Sequence, residues 1–527
     1  MKHSPLLITP HFVLVALALT FSRIPLEQTA PLPVPLSKLP ALGSVDERFQ
    51  SYNVEMIEVT GGRFWAPYKQ SSSAPADTAQ PTPGGMPASL YRYRPPIDLA
   101  NSRLRKLASA LGPAYMRVSG TWANSTFFQD SNDPAPEKAL VGFNGVLTRT
   151  QWHGVVDFAR AVNADIVTSF AISPGVRDAN GIWTPAEAEK ILHYTRSIGG
   201  SIAAAEMFNE PTFASMGGAP KGYDAAAYGR DFRAFHAYIK KSAPNMVILG
   251  PGSIGETSFG QIPGIQMLHS EDMLQQQGPG LLDGFSYHFY GGVSQRCARM
   301  GPMGTTPEAA LSHDWLTRTD RDEAFYAALR DRFAPGKPLW LTETGETACG
   351  GDPWASTFLD TFRYLYQLGS LAKRGVQVDI HNTLDASDYA LIDETTLQPR
   401  PDYWGALLWR RLMGTKVLDP GPSASQDLYV FAHCLRGKPG GVALLAINAD
   451  KANSHELFLP AKSMRYSLAS GDLQSSTVDL NGVELALTSD GDLPAIDGVS
   501  QAKGSVSLAP ASITFLAVPS ANNAACR

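Results

Sequence analysis

Charged residues are scarce in this chain, and no segment concentrates charge of one sign. Asp, Glu, Lys and Arg make up 18% of the 527 residues, and the formal net charge is −5. No dense run of Lys and Arg occurs, which argues against nucleic acid as the main partner. The chain also has no P-loop, no C-x-x-C pair and no His cluster, so we expect neither a cofactor nor a metal.

Cysteine is equally scarce. The four residues Cys297, Cys349, Cys434 and Cys526 are an even number, which permits two disulfides in an exported protein. Their spacing alone does not determine which cysteines pair.

The N-terminus carries a short apolar segment rather than a long one. Lys2 and His3 precede a run that is densest at residues 12–21, which is shorter than the ~20 apolar residues that span a membrane. We predict a signal peptide at residues 1–30 and a secreted or periplasmic protein, although no clear A-x-A cleavage site follows. An uncleaved membrane anchor is the alternative. The Pro-rich lead-in at residues 31–47 is predicted to be extended and could add a strand to the C-terminal domain.

Residues 48–410 alternate short apolar runs with helical patterns eight times, from SYNVEMIEV to VQVDIHNTL. Eight strands that alternate with helices predict a parallel (β/α)8 barrel, or TIM barrel. An open doubly wound sheet would show the same alternation. Within the third helix, TPAEAEKIL predicts a capping box between Thr184 and Glu187.

The pattern of apolar residues changes after the barrel region. Residues 411–527 contain short alternating runs such as LYVFAHCL, GGVALLAINA and VELALTS, separated by turn residues. They predict a C-terminal β-sandwich domain. A low-complexity stretch after the first strand forms part of an insertion at residues 69–97.

Two carboxylates fall where a barrel enzyme would place its active site, beyond the C-terminal ends of the strands. Glu210 ends strand four in the run FNEP, and Glu343 ends strand seven in LWLTETGE. Glycoside hydrolysis needs one neutral carboxyl to protonate the leaving oxygen and one carboxylate to attack the anomeric carbon. Retaining enzymes hold the two about 5–5.5 Å apart. Glu210 alone could be a solvated residue of a tight turn, so the prediction depends on the pair.

Neighbouring residues fit the same chemistry. Asn209 could bind the sugar 2-hydroxyl, an interaction that strengthens in the transition state. Strand six ends in YHFYGG, so Tyr290 would lie beside strand seven and could hold Glu343 ionised through a hydrogen bond.

With these motifs in place, the chain resembles heparanase and the β-glucuronidases of glycoside hydrolase family 79. The resemblance covers roughly residues 48–527. Four stretches carry it: LRKLASALGPAYMRVSGT, FNEPTF, LWLTETGETACGGDPWASTFLDTFRYLYQLGSLAKRGVQV and SDYALIDETTLQPRPDYWGALLWRRLMGTKVL.

The resemblance implies a role for each matching residue. Glu210 would be the acid/base and Glu343 the nucleophile. Asn209 would bind the 2-hydroxyl, and Tyr290 would support Glu343. The N–H groups of Gly350 and Gly351, together with Tyr389, would bind the uronate carboxylate. Glu55 and Thr121 would contact the sugar. It also implies a Cys434–Cys526 disulfide. A Cys297–Cys349 disulfide is plausible because both residues lie on loops after the adjacent strands six and seven.

Three departures from the family matter. Cys349 stands where heparanase has Tyr before the glycine pair. Only a short stretch bridges the region where heparanase carries a long excised linker, so we expect a single chain without proteolytic maturation. The insertion could wall off part of the cleft.

We therefore predict a retaining enzyme acting on a glucuronic-acid-containing glycan or glucuronide, with exo-acting β-glucuronidase favoured. The alternatives are internal, heparanase-like cleavage of heparan-sulfate-type polymers and a non-catalytic carbohydrate-binding protein. The oligomeric state stays open.

Overall fold

A computed structural model of the chain describes Met1 and residues 32–68, 82–136, 138–259, 266–299, 301–422 and 425–527. The predicted signal segment after Met1 and residues 69–81 of the insertion lie outside the described residues. Among the residues described, no helix is long and apolar enough to cross a membrane.

Eight parallel strands close into a barrel, and this confirms the predicted (β/α)8 fold. Each strand pairs with its neighbours in chain order, and the eighth pairs with the first. Numbered one to eight, the barrel strands are Gln50–Asn53, Ala114–Val118, Ala164–Ser169, Ile202–Glu206, Val247–Ser253, Gly284–Tyr290, Leu339–Gly345 and Val378–His381.

One principal helix follows each barrel strand. These helices are Ser102–Leu111, Arg149–Ala161, Ala186–Ser197, Ala225–Ser242, Ser270–Gln277, Arg318–Phe333, Phe358–Arg374 and Pro401–Leu412, with the short helices Met56–Thr60 and His313–Leu316 in the loops.

The predicted capping box at the third helix is wrong. Pro185 occupies the N-cap position, and no side chain there accepts a hydrogen bond from the first turn of the helix. Thr184 instead donates its hydroxyl hydrogen bond to Val176 O at 3.1 Å, and a Glu187 carboxylate oxygen accepts from Phe128 N at 3.0 Å. Both side chains therefore hydrogen-bond to backbone groups elsewhere in the fold and are not available to cap the helix. A capping box does form between Thr148 and Gln151.

The first strand is shorter than its apolar run suggests. It ends at Asn53, and Met56–Thr60 is a helical turn. The turn is stabilised because the Glu58 carboxylate accepts a 2.8 Å hydrogen bond from Glu55 N, as in a capping box.

Residues 250–255 read Gly-Pro-Gly-Ser-Ile-Gly, the glycine spacing of dinucleotide-binding turns. Here the first four residues lie inside barrel strand five, and no helix begins in residues 254–259. The stretch therefore lacks the helix N-terminus that binds phosphate in that motif.

The barrel interior has an apolar layer with a polar layer above it. Successive strand residues alternate between faces, so a side chain two positions further on points the same way but nearer the C-terminal mouth. The apolar and polar members of each step are Tyr115 and Arg117, Val167 and Ser169, Ala204 and Glu206, Trp340 and Thr342, and Ile380 and Asn382. This change from apolar to polar builds the floor of the cleft.

The C-terminal strands form two sheets. The larger sheet has nine strands: Ala41–Ser44, Met413–Leu418, Leu428–Leu435, Val442–Asn448, Ser463–Ala469, Asp479–Leu480, Val483–Glu484, Val499–Gln501 and Ser512–Val518. The smaller sheet contains Leu32–Pro33, His455–Leu459 and Gly504–Leu508. Both sheets thus include a strand from the Pro-rich lead-in. The VELALTS run is a strand only at Val483–Glu484, where both residues are exposed.

The central strands of the larger sheet are buried on both faces. In the strand Val442–Asn448, Leu444 and Ala446 pack towards the smaller sheet, while Leu445 and Ile447 join the barrel's core. A continuous apolar core therefore fixes the sandwich against the barrel. The Cys434–Cys526 disulfide ties the chain end to this sheet.

Gly369 marks the closest approach between the two domains. It lies in the helix after strand seven, and a methyl group there would overlap the Phe431 ring of the larger sheet. We predict that Gly369→Ala lowers the free energy of unfolding by about 1–3 kcal/mol, because overpacking outweighs the helix propensity of Ala. Thermal unfolding measures this.

Gly154→Ala is the matched control, since it changes a helical glycine with open space around it. It should stabilise the protein by about 0.5–1 kcal/mol. Equal stabilisation by both substitutions would show that the sheet does not press on the helix.

Candidate active site

A cleft opens at the C-terminal mouth of the barrel. Seven of the nine predicted catalytic and sugar-binding residues line it: Glu55, Thr121, Asn209, Glu210, Tyr290, Glu343 and Tyr389. Gly350 and Gly351 are not part of the lining, although their neighbour Cys349 is.

The Asn209-Glu210-Pro211 turn is held in a strained conformation. Glu210 has φ of 50° in the left-handed region, which non-glycine residues rarely adopt. Asn124 holds the turn from below: its Oδ1 accepts from Asn209 N at 2.8 Å, and its Nδ2 donates to Asn209 O at 2.9 Å. Asn124 begins an Asn-Ser-Thr sequon, but it is fully buried, so its role is to fix this turn.

Strand seven contains a bulge that aims Glu343 into the cleft. Leu341 pairs with Tyr287 and Glu343 pairs with His288, so Thr342 is skipped in the ladder. Bulges of this kind redirect side chains near active sites. As a result, consecutive Thr342 and Glu343 both reach partners over the barrel interior.

Both oxygens of Glu343 accept hydrogen bonds, as those of an ionised carboxylate do. The Tyr290 hydroxyl donates to Oε1 at 2.9 Å, and Arg117 Nη1 donates to Oε2 at 2.7 Å. Tyr290 itself accepts from Asn382 Nδ2 at 2.9 Å, which leaves its proton for Glu343.

The two predicted catalytic carboxylates lie close together. One oxygen from Glu210, one from Glu343 and a ring nitrogen of His288 all lie within 4.8 Å of one another. His288 Nδ1 is 3.1 Å from Glu210 Oε1 and 3.8 Å from Glu343 Oε2. This separation leaves room for an anomeric carbon but not for the extra water of an inverting enzyme.

The environment raises the pKa of both Glu210 and His288, but through different causes. Burial raises the pKa of Glu210, and the negative charge of Glu343 adds to this, while His288 partly opposes it. Burial on its own would lower the pKa of His288, but Glu343 and the hydrogen bonds to Glu206 and Glu210 raise it to about 9. The site thus favours a neutral Glu210. His288 Nε2 lies 3.2 Å from Arg117 Nη2, which can only donate, so the ring proton belongs on Nδ1, facing Glu210.

Arg117 and Glu206 form a buried ion pair beneath the two predicted catalytic carboxylates. Arg117 is fully buried and donates through Nη2 to Glu206 Oε2 at 2.9 Å and to Asn209 Oδ1 at 2.8 Å. Burial would raise the pKa of Glu206, but the guanidinium outweighs it and holds that pKa far below the usual range. Arg117 therefore joins Glu206, Asn209 and Glu343 in one network.

Sequence reasoning did not identify Arg117, Glu206 or Asn124 as functional. A signal for two of them was present, because Arg117 and Glu206 are charged residues at the inward positions of otherwise apolar strands, in AYMRV and IAAAE. Asn124 lies in a loop and had no such signal.

Glu55 is a third carboxyl in the cleft. Burial raises its pKa well above the usual range, and the charge of Glu343 adds to the shift. Its Oε2 is buried and has no hydrogen-bond partner among the residues described. Glu55 is thus suited to donate a hydrogen bond as a neutral acid.

The loop after strand seven meets the loops after strands six and eight at the rim. The Cys297–Cys349 disulfide joins the first two loops, so both predicted disulfides are present. Gly351 N donates to Thr347 O at 3.2 Å, which takes one of the two backbone donors predicted for the uronate. The Tyr389 hydroxyl accepts from Asn382 Nδ2 at 3.1 Å and keeps its own proton available.

The spacing of Glu210, His288 and Glu343 is also one that a metal ion could use. Arg117 lies 2.7 Å from Glu343 Oε2 and 3.2 Å from His288 Nε2, so a fixed positive charge contacts two of the three residues. This charge makes the set a poor cation site.

The described part of the insertion borders the cleft. A hairpin of Gly62–Trp65 and Tyr91–Arg94 forms its base, and Pro83 and Met86 line the cleft. The base is anchored to the rim: Tyr68 N donates to Asp388 Oδ2 at 3.1 Å, and Arg296 stacks on the Tyr68 ring.

Removal of the Arg117 guanidinium should lower the stability of the protein. We predict that Arg117→Met lowers the free energy of unfolding by about 3–5 kcal/mol near neutral pH, because Glu206 and Glu343 lose their counter-charge. The depressed pKa of Glu206 contributes stability that is fully present above its unfolded value of about 4.3 and is lost as pH falls. The difference between wild type and variant should therefore shrink below about pH 4.

Urea unfolding at several pH values measures this difference. Lys106→Met, which breaks the exposed ion pair with Asp492, is the control and should change the free energy of unfolding by less than about 1 kcal/mol. A loss from Arg117→Met that does not vary with pH would indicate lost packing rather than lost charge.

Comparisons with known proteins agree with this geometry. A profile of glycosyl hydrolase family 79, N-terminal domain, matches residues 95–369, which is more than half of the chain. Heparanase of Rattus norvegicus is 28% identical over 491 residues, covering 81% of this chain and 87% of that protein. Baicalin-beta-D-glucuronidase of Scutellaria baicalensis is 25% identical over 476 residues, covering 80% of this chain and 84% of that protein.

Among solved structures, a 4-O-alpha-L-rhamnosyl-beta-D-glucuronidase from Fusarium oxysporum superposes with a TM-score of 0.61. The alignment covers 92% of this chain and 100% of that chain at 13% identity, which supports the shared fold alone. The family match confirms the resemblance predicted from the sequence: the chain belongs to glycoside hydrolase family 79 and is a glycoside hydrolase.

Proposed function

We propose that this protein is a retaining β-glucuronidase that releases glucuronic acid from the non-reducing end of its substrates. The observation that carries the proposal is the approach of Glu210 and Glu343 within 4.8 Å across the cleft. Related proteins whose names include heparanase and glucuronidase support the glucuronide as the substrate class.

In the first step, Glu210 donates its proton to the glycosidic oxygen while Glu343 attacks the anomeric carbon. The raised pKa of Glu210 keeps that proton in place until it is needed. The covalent intermediate neutralises Glu343, and the negative charge now lies on Glu210. The Nδ1–H of His288, 3.1 Å from Glu210 Oε1, donates a hydrogen bond that stabilises that charge, and Glu210 then acts as base towards water.

Asn209 is proposed to bind the 2-hydroxyl through its amide N–H. Arginine can only donate hydrogen bonds, so the contact from Arg117 identifies the Asn209 atom beside it as the oxygen. The Nδ2 group must then point away from Arg117, and it is this group that lies free to face the sugar.

The uronate carboxylate is assigned to the rim formed by the loops after strands seven and eight. Tyr389 can donate its hydroxyl proton there, and the Gly350 N–H is the remaining backbone donor of the pair, in a turn with successive positive φ angles. Thr121 and Glu55 are proposed to contact the sugar hydroxyls, since both line the cleft.

Exo action is favoured over internal cutting by the walls of the cleft. The anchored hairpin, Pro83 and Met86 border one side. Among the described residues, the lining includes no Lys or Arg, whereas an internal cutter of a sulfated polymer needs cations along its cleft. A non-catalytic carbohydrate-binding role is disfavoured because the carboxylate pair and its supporting residues are all present.

Two disulfides suit an oxidising compartment, so we propose that the protein acts outside the cytosol. The proposed export signal lies in the part of the chain outside the described residues.

Substitution of the two glutamates should separate their roles. We predict that Glu343→Gln reduces turnover of every glucuronide to background. Glu210→Gln should lower kcat/KM for an alkyl glucuronide by about 10²–10⁴-fold but affect a 4-nitrophenyl glucuronide far less, because that leaving group needs little protonation. Glu308→Gln, at an exposed glutamate, is the control and should leave both values unchanged.

The same substrates test the stereochemistry. NMR should detect the β-anomer of glucuronic acid as the first product from a β-glucuronide. Initial release of the α-anomer would rule out the retaining mechanism.

A size-resolved product analysis tests exo action. We predict that an oligosaccharide with a glucuronic acid cap and further glucuronic acid inside the chain loses only the cap, since the walls hinder entry of an internal unit. Rapid shortening of long heparan sulfate, with no action on an aryl glucuronide, would contradict exo action and support the heparanase-like alternative.

A further inference from the structure

The part of the cleft next to Glu210 is walled by apolar side chains. Phe213, Met216, Ile254 and Phe259 line it, and the rings of Phe213 and Phe259 stack with centroids 6.3 Å apart. Phe213 and Met216 remain partly exposed to solvent. Partly exposed apolar side chains gathered at a cleft are typical of a ligand-binding surface.

These side chains lie on the side of the cleft where a leaving group must be. Phe213 and Met216 follow Glu210 on the loop after strand four, and Ile254 and Phe259 lie on the loop after strand five. Strand eight is four positions from strand four around the closed barrel, so Tyr389 and the proposed uronate rim lie across the cleft. Because an acid must contact the glycosidic oxygen, the aglycone begins at Glu210 and extends towards Phe213.

Charge on this face disfavours an anionic aglycone. The charged residues in the described lining are Glu55, Glu210 and Glu343. Arg296, a cation at the rim, is already paired with Asp388 at 3.0 Å. In the sequence, the stretches 69–81 and 260–265 outside the described residues include only Lys69 and Asp77 as charged residues. Arg299, on the loop after strand six, is an exposed cation outside the described lining. A sulfate group seated on the lining itself would meet carboxylates and apolar surface.

We propose that the aglycone subsite, formed by Phe213, Met216, Ile254 and Phe259, takes an uncharged aromatic group, so that the substrates are glucuronides of hydrophobic alcohols and phenols. This inference rests on the proposed β-glucuronidase function. The aromatic ring of such an aglycone would be transferred out of water and would pack against Phe213 and Phe259. Burial of this apolar surface gives binding energy that a sulfated sugar cannot match.

Comparison of benzyl and methyl β-glucuronide tests the inference. Both leaving groups are simple alkoxides of similar basicity, so the ratio of their kcat/KM values reports the aromatic contact rather than leaving-group activation. We expect the wild-type protein to favour the benzyl compound by about 10- to 100-fold. Phe213→Ala should reduce this ratio by about 3- to 10-fold, while Phe213→Leu, which keeps apolar volume, should reduce it less.

Phe127→Ala is the matched control, because Phe127 is also a partly exposed aromatic residue but packs edge-to-face with Phe143 outside the cleft lining. It should leave the ratio unchanged. A third substrate, glucuronosyl-N-acetylglucosamine with and without a 6-O-sulfate, should have a lower kcat/KM than benzyl glucuronide, and the sulfate should lower it further.

The outcomes separate this inference from the function it rests on. If no glucuronide is cleaved, the proposed function fails and the inference fails with it. If glucuronides are cleaved with a benzyl-to-methyl ratio near one, the aromatic subsite alone is overturned. The same holds if the disaccharide exceeds benzyl glucuronide, since the rings would then be platforms for a second sugar.

Discussion

The active site depends on one buried cation. Arg117 is completely enclosed, and its guanidinium binds Glu206, Glu343 and the Asn209 side chain at the same time. Glu206 and Asn209 come from the end of strand four and Glu343 from strand seven, yet all three lie 2.7–2.9 Å from the same planar guanidinium. A guanidinium meets this requirement because its donors are fixed in direction and it stays charged when buried. Through it, the positions of Glu343 and the Asn209-Glu210 turn are coupled.

That network needs a barrel whose interior side chains change from apolar to polar along the barrel axis. The lower interior is apolar and holds the strands together, while the residues two positions further along carry Arg117, Glu206 and Thr342. Local irregularities complete the arrangement: a bulge turns Glu343 inward, and the left-handed turn at Glu210 is held by Asn124. Strain of this kind persists only where the surroundings over-determine it. The apolar contact with the sandwich, the Cys297–Cys349 disulfide and the anchored hairpin supply that rigidity around the site.

Several features were predictable because their signals are local or periodic. The eight-fold alternation of strands and helices, the change to short strands near residue 411 and the placement of Glu210 and Glu343 at strand ends follow from patterns within short windows of sequence. The resemblance carried by long matching stretches added the pairing of Cys434 with Cys526. Local patterns were less reliable where distant residues compete for the same side chain: Thr184 and Glu187 have cap-forming types and spacing but bond to Val176 and Phe128 instead.

The sequence by itself determined the alternation of strands and helices and the change to short strands near residue 411, and it predicted Glu210 and Glu343 as a pair, because periodicity and strand position depend only on neighbouring residues. Only the tertiary structure decided which groups hold those carboxylates. Asn124 gave no local signal for its clamp on Asn209, the donor on Gly351 is used within its own turn, and the face beside Glu210 is apolar only because loops after strands four and five meet there. Such contacts join residues far apart in the chain, and closure of the barrel is what brings them together.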